Sequence, residues 1–116
     1  MDIFEIGTAA RTAEVTIPTP GGDATFLCKS VSIGVKSKIE SIISKPEVKS
    51  SKDCTEMRWI ALSNGVFILE TGEPAFTRNQ RSEFNKLESW FVEPLFEKIL
   101  ELSGVTGKDR EDFEGN

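Results

Sequence analysis

The sequence predicts an α+β fold: an N-terminal two-stranded β-hairpin packed on a bundle of about four helices, with a short extended excursion in mid-chain. Three observations lead there. Residues 14–29 alternate apolar and polar side chains around a centre rich in proline and glycine. Four later stretches carry apolar residues at helical spacing. Between two of them, Phe67-Ile68-Leu69 is β-prone and runs into turn residues.

The hairpin comes first. Val15 and Ile17 alternate with Glu14 and Thr16, the period of a strand with one buried face. Pro18-Thr19-Pro20 is expected to end that strand, and Gly21-Gly22-Asp23 to supply the positive-φ positions of the turn. Ala24, Phe26 and Cys28 alternate with Thr25, Leu27 and Lys29 on the return. A lone hairpin is marginal in water, so helices must cover one face.

In the first helix Ser32 is the expected cap and Val35, Ile39, Ile42 and Ile43 the apolar stripe. Lys45-Pro46 ends it, because the residue before proline is pushed out of the α region. The second helix starts at Asp53 as N-cap with Glu56 as capping-box partner, and buries Cys54, Met57, Ile60 and Ala61. Asn64-Gly65 reads as its C-terminal signal. The excursion Val66–Thr77 turns at Thr71-Gly72-Glu73-Pro74. A short helix follows, capped by Thr77 or Asn79, with Phe84 and Leu87 inward. The last helix has Ser89 as N-cap and Phe91, Leu95, Ile99 and Leu102 on one stripe, widened by Val92, Phe96 and Leu100. Pro94 predicts a kink or a later start there. Gly104 closes the helix, so residues 1–104 read as the folded domain and 105–116 as a flexible acidic linker.

Charge and composition narrow the function classes. The chain has 116 residues and a formal charge of −5. Its basic residues are scattered, which disfavours a nucleic-acid surface. No apolar run approaches the length of a membrane span. The N-terminus lacks the cationic and apolar regions of a signal peptide. Two distant cysteines, Cys28 and Cys54, fit a reducing compartment and read as small buried hydrophobes. There is no histidine. That removes the commonest general base, the usual nucleophile pairs and most catalytic zinc sites. Glu70 and Glu73 flank a turn, while Glu93, Glu97 and Glu101 recur every four residues as the wet side of a helix. No catalytic, metal or cofactor site is expected. Trp59 lies off the Met57/Ala61 stripe and reads as a partly exposed interface anchor, whereas Trp90 reads as core. Phe67, Phe76, Ile3 and Phe4 complete the set of candidate partner-binding residues.

Three stretches, taken in order, resemble a known family. "AEVTIPTPGGDATFLCKSVSI" is similar to its hairpin and first helix. "EMRWIALSNGVFILETGEPAFT" resembles its helix and following turn, with Glu70, Gly72, Glu73 and Phe76 in the places of a D-x-x-G-x-x-x-F pattern. "PLFEKILELSGVTGKDREDFEGN" resembles its closing run of Leu-Phe, a helix ending in Leu-Ser-Gly, an acidic stretch and Gly-Asn. The family is the tail assembly chaperones of long-tailed bacteriophages. Leu62-Ser63 and Pro94 depart from its usual pattern.

The resemblance implies a non-enzymatic assembly factor of the host bacterial cytoplasm, absent from the mature virion. Its implied partners are the tape measure protein and the tail tube protein, with homo-oligomers or a spiral of copies as a further possibility. It also implies two lengths of product, the longer made by ribosomal frameshifting. Glu114-Gly115-Asn116 can be encoded as GAG-GGA-AAC, which contains a slippery G-GGA-AAC heptamer; the gene sequence across Asn116 tests that hypothesis. The rival readings are a head–tail connector or tail completion protein, a small adaptor-type module, and an enzyme using carboxylates alone.

Overall fold

The hairpin forms as a two-strand ladder, β1 (Thr12–Thr19) and β2 (Gly22–Lys29), in antiparallel register from Thr12 opposite Lys29 to Thr19 opposite Gly22. The computed structural model describes residues 2–45 and 50–105. Two expectations about the turn are corrected. Pro18 does not end β1 but pairs with Asp23 inside it. Proline is tolerated there because β1 is an edge strand, where a missing N–H costs no ladder bond. Only Gly22 of the turn residues has positive φ, at 117°, and β2 begins on it.

A short helix, α1 (Ile3–Gly7), precedes the hairpin, and the first two long helices, α2 (Ile33–Ile43) and α3 (Ser51–Gly65), follow it. Ser32 caps α2 by accepting the Val35 N–H at 3.4 Å, as expected. Its C-cap is Ser44, and Pro46 lies outside the described residues. In α3 the capping roles shift by three. Ser50 is the N-cap, its hydroxyl accepting the Asp53 N–H at 3.1 Å, and Asp53 is the box partner, accepting the Ser50 N–H at 3.3 Å. A carboxylate suits either role, and the serine three residues earlier takes the cap. Gly65 is also reassigned. It is the last helical residue and has no positive φ; its missing side chain lets α3 approach Ile99 and the Lys29 carbonyl.

The excursion becomes a third strand, β3 (Val66–Ile68), antiparallel to β2 with Val66 opposite Cys28 and Ile68 opposite Phe26. Among the described residues the sheet order is β1-β2-β3. The chain then turns back on itself: Gly72 takes φ 74°, Ile68 N–H donates to the Glu73 carbonyl at 2.8 Å, and Ala75 N–H to that of Val66 at 3.0 Å.

A 3₁₀ turn (Arg78–Gln80), entered from Thr77, runs into α4 (Arg81–Phe84). Phe84 is buried, but Leu87 is 37% exposed rather than inward, because α4 stops after one turn. α5 spans Ser89–Leu102 with Glu88, not Ser89, as N-cap. It runs through Pro94, so the later start does not occur. Pro94 forfeits one bond, to the carbonyl of Trp90, a residue 45% exposed where water can replace it.

The buried face of α5 is shifted from the stripe expected: Leu95 and Ile99 are buried together with Val92, Phe96 and Leu100, while Phe91 and Leu102 are only partly buried. α5 covers the inner face of β1 and β2, and α3 lies between α5 and α2. Ile17, Cys28, Ile39, Met57, Leu62 and Val66 close the core between them. The exit from α5 is a Schellman arrangement. Gly104 (φ 79°) donates to the Glu101 carbonyl at 3.2 Å and Val105 to that of Leu100 at 2.9 Å. Val105 is itself buried, so the first residue read as linker belongs to the core. The rest of the linker, Glu114-Gly115-Asn116 included, lies outside the described residues.

Candidate functional surface

A short helix, α1 (Ile3–Gly7), projects ahead of the sheet. No helix is expected here from the sequence; Asp2 caps it, its carboxylate accepting the Phe4 N–H at 3.3 Å. Ile3 and Phe4 are about three-quarters exposed, at 75% and 74%, and Ile6 is also open. Nothing in the described fold covers them, so they form bare apolar surface.

Trp59 and Phe76, expected as separate anchors, come together. Trp59 lies edge-on to Phe84, ring centres 5.5 Å apart, and to Phe76 at 6.3 Å; Phe76 and Phe84 meet at 5.8 Å. Such T-shaped contacts place the positive ring edge on a negative ring face. The Arg81 guanidinium sits 5.9 Å from the Trp59 ring centre and holds Glu56 through two N–H bonds, at 3.2 and 2.9 Å. Trp59 is therefore half-buried, partly as a packing residue and partly as one wall of a cleft of about 390 Å³. Lys38, Glu56, Ser63, Phe76 and Arg78 line that cleft with it.

Phe67 is placed elsewhere. It pairs with Leu27 on the sheet face opposite Cys28 and Val66, half-buried, with Lys29 Nζ 4.3 Å from its ring centre. It makes no ring contact with Trp59 or Phe76. Trp90, read as core, is 45% exposed, its ring perpendicular to that of Phe91 with centres 6.2 Å apart. As the second residue of α5, it lies off the stripe that packs on the sheet. Ile33, at the open start of α2, is 78% exposed and was not singled out from the sequence. Its signal was available: it stands one place after the cap Ser32 and two before the first stripe residue.

Two glutamates of α5 are held in ion pairs. Glu93 is bound by Arg58, whose Nη2 donates to it at 3.0 Å while its Nη1 donates to the Cys54 carbonyl at 3.0 Å and its guanidinium lies over Phe96. Glu101 pairs with Lys98 at 3.2 Å. Among the described residues no three His, Cys, Asp or Glu side chains gather as a metal-binding group, and no helix is long and apolar enough to cross a membrane. Burial pushes the Cys28 thiol up to about 11, against the opposing pull of Lys98. That is the environment of a packing residue, not of a nucleophile. The Lys45 ammonium, bound at 2.7 Å, and then the Ser50 N–H hold the Asp53 carboxyl below its ordinary value.

Comparison of the sequence with protein-family models and with curated proteins finds no match. Comparison of the structure does. The chain superposes on the bacteriophage HK97 tail assembly chaperone with a TM-score of 0.63, covering 86% of this chain and 95% of that one. The fold is tail assembly chaperone-like. At 10% identity the shared feature is the arrangement of elements, since so few common residues leave side-chain sites free to differ. This chaperone-like fold encloses an apolar core and leaves α1, the outer sheet face and the Trp59 cleft available at its surface.

Proposed function

We propose that this protein is a phage tail assembly chaperone that binds the tape measure protein, keeps it soluble and promotes polymerisation of tail tube protein around it. The structural likeness, covering nearly the whole of both chains, carries the reading. The exposed apolar residues and the charge of −5 support it. A long amphipathic helix exposes an apolar stripe that drives aggregation. Small acidic proteins laid along it would cover the stripe, and their like charge would keep coated filaments apart. Ile3 and Phe4 are the best-placed contacts, Phe67 and the Trp59–Phe76 wall the next. Copies could also meet head to tail, since heterologous contacts propagate as spirals. The protein would act in the host bacterial cytoplasm and be absent from finished virions.

Titration of a tape measure fragment with the purified protein tests this. Several copies should bind per fragment, each weakly, and the fragment should stay soluble. One saturating site, or no binding, would reject the reading. Mass spectrometry of purified virions separates it from a connector or tail completion protein, which would be retained in the particle.

A further inference from the structure

The face of α5 turned away from the core has a chemistry of its own. Trp90, Pro94, Glu97 and Glu101 recur at intervals of four, three and four residues, so they lie along one line of the helix, and all four are exposed. The line runs about three turns, or about 16 Å. Packing does not account for its first two residues. Trp90 keeps nearly half of its surface in water. Pro94 stands inside a helix, has no N–H to give the Trp90 carbonyl, and is exposed, so burial does not offset that loss. One patch thus holds an indole, a proline ring and a carbonyl short of its helical donor.

Carboxylates continue the line. Glu93, beside it, is held by Arg58 at 3.0 Å. Lys98 is the one basic residue of α5 and is drawn to Glu101 at 3.2 Å. Exposed pairs of this kind are weak, so a cation from outside can compete for Glu101. With Glu97 the line carries an excess of carboxylate, on a chain of net charge −5. A cation or an apolar side chain suits the indole and proline, and cations suit the two glutamates. A partner that is itself acidic is repelled. These demands stand in a straight row on a helix, and a second helix packed alongside can present matching side chains turn by turn.

We propose that the Trp90–Glu101 stripe of α5 docks a basic amphipathic helix of a partner protein, with an apolar or cationic side chain on the Trp90 ring beside Pro94 and Lys or Arg residues against Glu97 and Glu101. The proposal rests on the reading that this protein covers long helices. It adds which face does so and which charge the covered helix carries there.

The test titrates the isotope-labelled full chain, at roughly 150 mM salt, with two synthetic helical peptides of about 20 residues. Both carry leucine on one face; the other face is lysine in one peptide and glutamate in the second. The lysine peptide should move the Trp90 indole N–H and the amides of residues 89–101 to saturation, leave the Trp59 indole N–H in place, and find no counterpart in the glutamate peptide. Trp90→Ala should weaken binding by at least about tenfold, and E97Q/E101Q by about three- to tenfold. E14Q/E40Q removes the same charge from exposed sites on β1 and α2 and should cost less than about twofold. Far-UV circular dichroism verifies each fold, and the glutamine set, confined to exposed side chains, decides the matter if Trp90→Ala is destabilised. The proposal is overturned by no saturable shift, by shifts centred on Trp59 or α1, by equal binding of the glutamate peptide, or by an equal loss in E14Q/E40Q. Parent resonances on α5 that move on dilution without peptide also overturn it, by placing a second copy on the stripe. The tape measure titration decides the chaperone reading separately, since the peptides contain no tape measure sequence.

Discussion

Gly65→Ala is the sharpest test of the packing. At an ordinary helical site the change stabilises by up to about 1 kcal/mol, because alanine loses less backbone freedom than glycine. Gly65 is helical and needs no positive φ, so propensity alone predicts a gain. The tertiary structure predicts the reverse. A Cβ at this position would lie 2.9 Å from Ile99 Cδ1 and 3.0 Å from both Ile99 Cγ1 and the Lys29 carbonyl oxygen. Ile99 is fully buried and has no room to swing away, and the carbonyl belongs to the end of β2. Overpacking of this kind costs about 1–3 kcal/mol. The net expectation is a loss of about 1–2 kcal/mol, or roughly 4–8 °C in Tm. Urea denaturation should show a lower midpoint at unchanged slope. Ile99→Val removes the Cδ1 atom and alone costs about 0.5–1.5 kcal/mol. In that background Gly65→Ala should cost at least about 0.5 kcal/mol less than it does alone. A midpoint that stays level or rises on Gly65→Ala would refute the close approach of α3 to α5 and β2.

Other expectations follow from the surface and the titrating groups. Ile3→Asp with Phe4→Asp removes exposed apolar area only, so stability should hold within about 0.5 kcal/mol while tape measure binding in a pull-down falls. Under native conditions iodoacetamide should alkylate Cys54 well before Cys28, as read by peptide mass mapping, because Cys28 is fully enclosed and its thiol is pushed up to about 11. Asp53 is held low by Lys45 first and Ser50 second. Its stabilisation is present above the unfolded carboxylate's value of 3.8 and is lost as pH falls through the lower folded value. An acid titration followed by circular dichroism should therefore be shallower in Asp53→Asn than in the parent.

Much of the architecture was legible in local pattern. The alternation around Val15 and Ile17, the stripe from Phe91 to Leu102 and the stop at Gly104 each reflect a short-range rule of strand, helix or cap. Misreadings fell where two residues satisfied the same rule. Ser50 and Asp53 are both good caps, and Asn64-Gly65 looks like a helix end whether glycine is needed for its φ or for its missing side chain; at α5 the expected cap Ser89 lost its place to Glu88, whose side chain makes no capping bond. The surface was harder to read. A tryptophan off the apolar stripe signals partial exposure, which held for Trp59, but nothing local distinguishes an indole packed on Phe76 and Phe84 from one left open, as at Trp90.

By itself the sequence determined the class of structure and the absence of histidine chemistry, since periodicity, caps and composition are properties of neighbouring residues. Only the tertiary structure decided that the mid-chain excursion joins the sheet as β3, that Gly65 serves a close crossing, and that Trp59, Phe76, Lys38 and Arg78 share one cleft. Those outcomes depend on contacts between segments far apart in the chain, whose geometry is set by how the core as a whole fills its space.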